Sequence, residues 1–328
     1  MKSVRFSLTV GRYSCNYSMT PTDLLSLIED AQKAADAYYN GRPIWTDAKY
    51  DRTFDIIKSE VNALRQKDNL LTLGVKEEQA LDKGEAFIAQ VGAATASTSQ
   101  WQKVTHKVPM GSLNKAVPDP DDATKLDDID NWIADCRGVL GDARANGPFV
   151  VSLKYDGISA SLGYDRGDLI LGATRGDGNE GEDRTRNFKK MKGVKTNIPG
   201  FTGYIRGECV CLKSDLKAHF AGYANCRNTA SGVASRQSGD ANEHLTVYNY
   251  QLLPAAGQRP ITRKRVEFQL LQKLGFVVPY WRHCDTIDEV KAIYAKFIAS
   301  RRDALDFEID GLVIEYDELS TQQALGEK

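Results

Sequence analysis

The run Phe149-Val150-Val151-Ser152-Leu153 constrains this chain most, because an apolar, β-branched stretch of that kind reads as a buried strand that ends in a lysine, Lys154. The next residues complete Lys154-Tyr155-Asp156-Gly157. A lysine whose stem is fixed inside a protein is a candidate nucleophile, since burial disfavours the ammonium form and only the neutral amine attacks an electrophile such as phosphorus. Two residues along the strand, Asp156 shares the face of Lys154 and can orient the amine or hold a metal. Asp156-Gly157 is equally a turn signal and Lys154 equally an exposed strand lysine, so this segment alone leaves both readings open.

Further segments add to the pattern. Thr174-Arg175-Gly176-Asp177-Gly178 and Gly181-Glu182-Asp183 lie one hairpin further on, Arg206-Gly207-Glu208 sits in a strand-like run from Tyr204 to Leu212, and Asn225-Cys226-Arg227-Asn228 follows. Glu308-Ile309-Asp310-Gly311-Leu312-Val313-Ile314 closes the set, and His106-Lys107-Val108-Pro109-Met110-Gly111-Ser112-Leu113-Asn114 precedes it. In this order and spacing the chain, from about residue 22 to residue 326, resembles the adenylation region of the NAD-dependent DNA ligases.

The resemblance implies a mechanism. Lys154 would attack the α-phosphate of NAD, release nicotinamide mononucleotide and carry AMP to the 5′-phosphate at a nick in double-stranded DNA. Lys154, Asp156, Arg175, Glu208 and Asp310 match the family's catalytic positions. Glu208 and Asp310 match carboxylates that hold ribose or a metal, for which Mg2+ and oxygen ligands are the natural pairing. Ser112, Leu113, Ser152, Tyr250, Arg227, Arg236, Arg302 and Glu315 fall at AMP-binding positions. Tyr250 reads almost as well as a half-buried strand tyrosine, and Arg236 and Arg302 as surface ion-pair residues.

Two of these positions depart from the family. Ser152 stands where a glutamate usually recognises adenine, and Glu315 where a lysine usually sits near the phosphate. Reversing a charge about 5 Å from phosphate, at an effective dielectric near 20, would cost about 6 kcal/mol unless something compensates. Glu315 is therefore expected to bind a metal or to turn away while another lysine takes over, and a slow or inactive enzyme is the third alternative. These departures motivate the competing reading, a noncatalytic nucleotide-binding subunit that supports a partner ligase.

The N-terminal part reads as helices. Thr20-Pro21-Thr22-Asp23 is a helix start, with a threonine cap, proline at the first helical position and an acid in the first turn. Leu24, Leu25, Ile28, Ala31, Ala35 and Tyr38 recur at helical spacing to about Tyr39, and Gly41-Arg42-Pro43 breaks the helix. Thr46-Asp47 caps a second helix with Tyr50, Phe54, Ile57 and Val61 as its apolar stripe. By resemblance this hairpin captures the nicotinamide mononucleotide half of NAD through Tyr38 or Tyr39, Asp47, Tyr50 and Asp51. Core packing is the plain alternative for Tyr38 and Tyr50. The family's usual histidine after the first tyrosine is missing, so the nicotinamide contact is expected to be rearranged.

The expected fold is α+β: a small helical domain over residues 1–65, a connector over 66–100, and a nucleotidyltransferase domain of mostly antiparallel sheets flanked by helices over 101–328. In the family, a final lysine motif, an oligonucleotide-binding barrel, a zinc module and helix-hairpin-helix repeats follow. A second polypeptide carrying those parts is the expected partner, and a shortened polypeptide is the alternative.

Composition fits such a protein. With 41% apolar and 27% charged residues, 328 residues can build a sizeable core. The net charge of −1 is low for a DNA-binding protein, so the grip on DNA has to be local or supplied by a partner. Arg184-Thr185-Arg186-Asn187-Phe188-Lys189-Lys190-Met191-Lys192 is a local candidate, and a solvated basic face explains it equally well. Cys15, Cys136, Cys209, Cys211, Cys226 and Cys284 form no Cys-x-x-Cys pair, so reduced thiols are expected. No apolar run reaches membrane-spanning length and Met1-Lys2-Ser3-Val4-Arg5 is not a secretory signal, which points to the cytoplasm.

Overall fold

The computed structural model describes residues 6–8, 19–39, 44–45, 47–68, 73–89, 101–116, 127–223, 225–299 and 305–326. It divides into two compact units, residues 14–110 with 176–182, and residues 1–13 and 111–175 with 183–328.

In the first unit, helices α1 (Pro21–Tyr39), α2 (Asp47–Asp68) and α3 (Val75–Ala89) share one core. The N-terminus of α1 is held reciprocally: Asp23 N–H donates to Thr20 Oγ1 and Thr20 N–H donates to Asp23 Oδ2, each at 3.2 Å. Leu24, Ile28 and Ala31 are buried on α1, Ile57 and Val61 on α2, and Ala80, Leu81 and Phe87 on α3. Fully burying Ile57 or Val61 contributes about 1.5–3 kcal/mol each. The segment read from sequence as a helical and loop connector contains α3, which packs into the same core as α1 and α2. Strands β2 (Lys103–Thr105) and β7 (Glu180–Glu182) pair antiparallel beside a turn in which Asp177 Oδ1 accepts from the Asn179 and Glu180 amides, at 2.8 and 2.7 Å.

The second unit holds the remaining strands, β1 (Phe6–Leu8), β3 (Asn114–Ala116), β4 (Phe149–Tyr155), β5 (Ile158–Asp165), β6 (Asp168–Thr174), β8 (Gly203–Cys211), β9 (Leu245–Pro254), β10 (Trp281–Cys284) and β11 (Ile309–Tyr316). One sheet has the order β10-β4-β11-β1-β3 and is antiparallel except between β1 and β3. The other, β6-β5-β8-β9, is antiparallel throughout. Helices α4 (Asp127–Leu140), α5 (Asp142–Ala145), α6 (Thr185–Phe188), α7 (Lys213–His219), α8 (Cys226–Ala234), α9 (Lys264–Lys273), α10 (Ile287–Ala299) and α11 (Leu319–Leu325) complete it. The α+β class and mainly antiparallel sheets expected from sequence are therefore present.

Each sheet has its own core. Phe149 and Val151 of β4 and Leu312, Ile314 and Tyr316 of β11 pack against Trp132 of α4 and Tyr294 of α10. By strand alternation, Val150, Ser152 and Lys154 face away from that core. Leu162, Ile205 and Val247 of the second sheet pack against Phe188 of α6, Val233 of α8 and Leu271 of α9. Cys136, Cys209, Cys211, Cys226 and Cys284 are all buried and unpaired by disulfides, as the cysteine spacing suggested for the described residues. No helix among the described residues is long and apolar enough to cross a membrane.

Candidate active site

The strand expected from Phe149 to Leu153 exists and continues through Lys154 to Tyr155. Lys154 lies opposite Gly311 of β11, while Tyr155 lies opposite Ile309, so Asp310 is the extra residue of a bulge. The bulge matters because Leu312 points into the core, and plain alternation would send Asp310 the same way; one inserted residue turns it to the lysine's face. Lys154 Nζ donates to Asp310 Oδ2. The lysine is not sealed in as its strand context suggested: 26% of its side chain is exposed. Asp310 Oδ1 is buried with no hydrogen-bond partner, and burial raises the carboxyl's pKa above its ordinary value against the lowering effect of Lys154.

Other elements bring in the remaining charges. Glu208 enters from β8, where Ser159 of β5 is its register partner and donates to Glu208 Oε2 at 3.1 Å. Burial pushes the Glu208 carboxyl up to about 7, although Arg227 and Lys154 pull it down. Arg227 sits in the first turn of α8, which Asn225 caps by accepting the Asn228 amide at 2.7 Å, and its Nη1 donates to Asp156 Oδ1. The backbone fixes Asp156 as well, its N–H donating to the Glu308 carbonyl at 3.0 Å. Glu308 is itself raised in pKa, by burial first and by Asp156 second. Gly157 is required where the chain leaves the site, because a side chain there would fall on the Cys209 carbonyl oxygen and on Val210.

Asp156, Glu208, Glu308 and Asp310 thus surround Lys154 and Arg227, an excess of carboxylate that a phosphate could approach only alongside added positive charge. The unpartnered Asp310 Oδ1 and half-buried Glu208 fit a hard dication with oxygen ligands. Arg175 lies at the end of β6, and its Nη2 donates to Ser112 Oγ at 3.0 Å. Leu113, next to it, is partly buried.

The nucleotide positions divide. Ser152 is buried on β4, between Trp281 of β10 and Val313 of β11. Tyr250 is a bulge residue, since Arg206 pairs with Gln251 and Gly207 with Asn249; its carbonyl accepts from Lys264 Nζ at 2.6 Å. Arg236 follows α8, its guanidinium over the Phe220 ring at 5.8 Å and bonded to the Asp240 carbonyl at 3.5 Å. Arg302 lies outside the described residues. Tyr38, Tyr39, Asp47 and Asp51 are on α1 and α2, but their side chains lie outside the described residues, whereas Tyr50 is partly buried against the helical core. The basic run is largely committed internally: Arg186 donates to the Gln237 carbonyl, Lys190 to the Gly239 carbonyl at 2.8 Å, and Lys192 pairs with Asp215 at 3.4 Å.

Glu315 neither reaches toward Lys154 nor turns out to solvent. It is 3% exposed and pairs at 3.4 Å with Lys264, which is fully buried and also pairs with Glu267 at 2.8 Å. Sequence reading missed Lys264 because Arg263-Lys264-Arg265 looks like a surface run. Its signal was the spacing Lys264, Phe268, Leu271, which puts the lysine on the buried face of α9. Also missed was the aromatic group in which Tyr155 stacks on Tyr248 at 4.1 Å and meets Phe307 at 4.6 Å.

Residues 98–328 match the family model for the NAD-dependent DNA ligase adenylation domain. A DNA ligase of Sorangium cellulosum is 34% identical over 92% of this chain and 42% of its own length. Those of Treponema denticola and Bacillus cytotoxicus are 30% and 33% identical, over 91% and 87% of this chain and 43% and 40% of theirs. The chain therefore spans about two fifths of the length of these curated relatives. By the match across its lysine-bearing unit, this chain belongs to the NAD-dependent DNA ligase adenylation-domain family.

Proposed function

We propose that Lys154 is the residue adenylylated by NAD. The supporting observation is the contact between Lys154 Nζ and the bulge carboxylate Asp310, ringed by Asp156, Glu208 and Arg227. In the reaction Nζ bonds to the α-phosphorus, the bond from that phosphorus to the bridging oxygen breaks, and nicotinamide mononucleotide leaves with the electron pair. The amine proton passes to Asp310 Oδ2, the oxygen that Lys154 Nζ already contacts, which leaves Oδ1 for a metal. Arg227 pairs with Asp156, and Arg175 with Ser112 forms a polar contact at the end of β6 suited to phosphate oxygens.

Mg2+ would be held by Glu208 and Asp310, supplying positive charge against the phosphate oxygens. Tyr250 would stack on adenine, with Ser152, Leu113 and Arg236 at the nucleotide's edge. Tyr38, Tyr39, Asp47, Tyr50 and Asp51 are proposed to hold the nicotinamide mononucleotide half. The AMP acceptor is proposed to be the 5′-phosphate of nicked DNA, gripped by parts of the ligase equivalent to those of the relatives outside the alignment, in the same or a second polypeptide.

The test is the intact mass of the protein after exposure to NAD and Mg2+. One added AMP, lost in Lys154→Ala, is the expected result. No adduct with either NAD or ATP would favour the noncatalytic nucleotide-binding reading, and an adduct from ATP alone would overturn the cofactor assignment.

A further inference from the structure

Away from Lys154, β8 and β9 end side by side, with Cys211 opposite Leu245. Just past that end lie α7 and the 3-10 turn Asn242–His244, and there Asp215, His219 and His244 converge. Among the described residues these three form a group whose nitrogen and oxygen donors all lie within 4.8 Å of one another. Asp215 and His219 are one helical turn apart on α7, so both project from one face toward His244.

We propose that Asp215, His219 and His244 bind one transition-metal dication of the Zn2+ type. Two imidazoles and one carboxylate are the donors a borderline ion takes, three protein ligands leaving further positions for water. The two histidine rings stack at 3.8 Å with 22° between their planes. The stack gathers two ring-nitrogen donors beside a carboxylate, and because near-parallel rings aim their in-plane lone pairs side by side, one ring has to turn for both to meet a single ion. Asp215 divides its oxygens: Oδ2 meets Lys192 at 3.4 Å, while Oδ1 faces His244 Nδ1 at 3.8 Å. Lys192 thus fixes the carboxylate as a supporting partner would and leaves one oxygen for the ion.

Donors on a tetrahedral zinc ion lie about 3.3 Å apart, given zinc–ligand distances of about 2 Å. His219 is exposed and His244 is 28% exposed, which leaves both side chains room to turn toward that spacing. The Lys192 side chain is 51% exposed, so water screens its charge from an entering dication while it keeps its contact with Asp215 Oδ2. A bound ion would tie α7 to the 3-10 turn and clamp the shared end of β8 and β9, three register positions from the Glu208–Tyr248 pair.

The full chain, stripped with a chelator, is titrated with ZnCl2 by calorimetry and with Co2+ by absorption spectroscopy. The expected result is one equivalent bound, a Co2+ spectrum without a thiolate charge-transfer band, and a Zn2+-dependent rise in Tm. His219→Ala, His244→Ala and the conservative Asp215→Asn, each checked for native circular dichroism, should lose more affinity than the about 10- to 100-fold that follows loss of a supporting partner. A chain that binds no equivalent when folded, a thiolate band, or undiminished binding in all three variants would overturn the site and leave a plain histidine stack with an ion pair.

Discussion

At the scale of single residues, the amine proposed to react was legible in the sequence as a candidate, and its partner's orientation was not. Lys154 and Asp156 announce themselves by following an apolar run, but Asp310 reaches the lysine only through a bulge, which depends on how two strands pair 156 residues apart. If Asp310 accepts the amine proton, Asp310→Asn should slow AMP transfer from NAD by about 100- to 10,000-fold, read by single-turnover intact mass. Lysine adenylylation at an undiminished rate would remove Asp310 from that role.

Glu208 carries a pH signature. Its carboxyl sits at about 7 in the fold against an ordinary 4.5, so between those values the folded chain binds more protons than the unfolded one. Its contribution therefore makes stability fall as pH rises through that window, with roughly 3 kcal/mol as a ceiling. Urea unfolding in chelator at both ends of the window should show this slope, and Glu208→Gln should flatten it.

At the scale of elements, the helices and most strands follow from periodicity and caps: α1 starts on its threonine-proline signal, and the stripe Tyr50, Phe54, Ile57, Val61 becomes the packed face of α2. Periodicity could not convey which charged residue joins a buried stripe. Lys264 is flanked by arginines and followed by Val266, so only the folded helix shows it beneath Glu315 and Glu267. Its ammonium balances two buried acids and bonds the Tyr250 carbonyl, which couples α9, β9 and β11. Lys264→Met should cost about 3–5 kcal/mol by stranding those acids, and adding Glu267→Gln and Glu315→Gln should restore much of it. Equilibrium denaturation of the two variants separates this from a simple packing loss, for which the added changes would give no recovery.

At the scale of the whole molecule, the helical unit and the lysine-bearing unit suggest a division of labour that mutagenesis can test. Asp51 is proposed to recognise only the nicotinamide side of NAD, so Asp51→Ala should impair adenylylation by NAD while sparing sealing of DNA that already carries 5′-AMP in the complete ligase. Equal loss in both assays would end that assignment. Much of the basic run that seemed available for DNA is engaged with the loop at Gln237 and Gly239, a use that no charge count could have foreseen.

The interior sulfur atoms also have a practical consequence. Cys136, Cys209, Cys211, Cys226 and Cys284 lie out of solvent, and burial raises the pKa of each, to about 11 for Cys226 and Cys284 and about 12 for Cys211. Since alkylating reagents need an accessible thiolate, in a Cys15→Ser background these five positions should react only when the fold opens around them. Mass-resolved alkylation would then time the loosening of each sheet separately, Cys136 and Cys284 reporting on one and Cys209, Cys211 and Cys226 on the other.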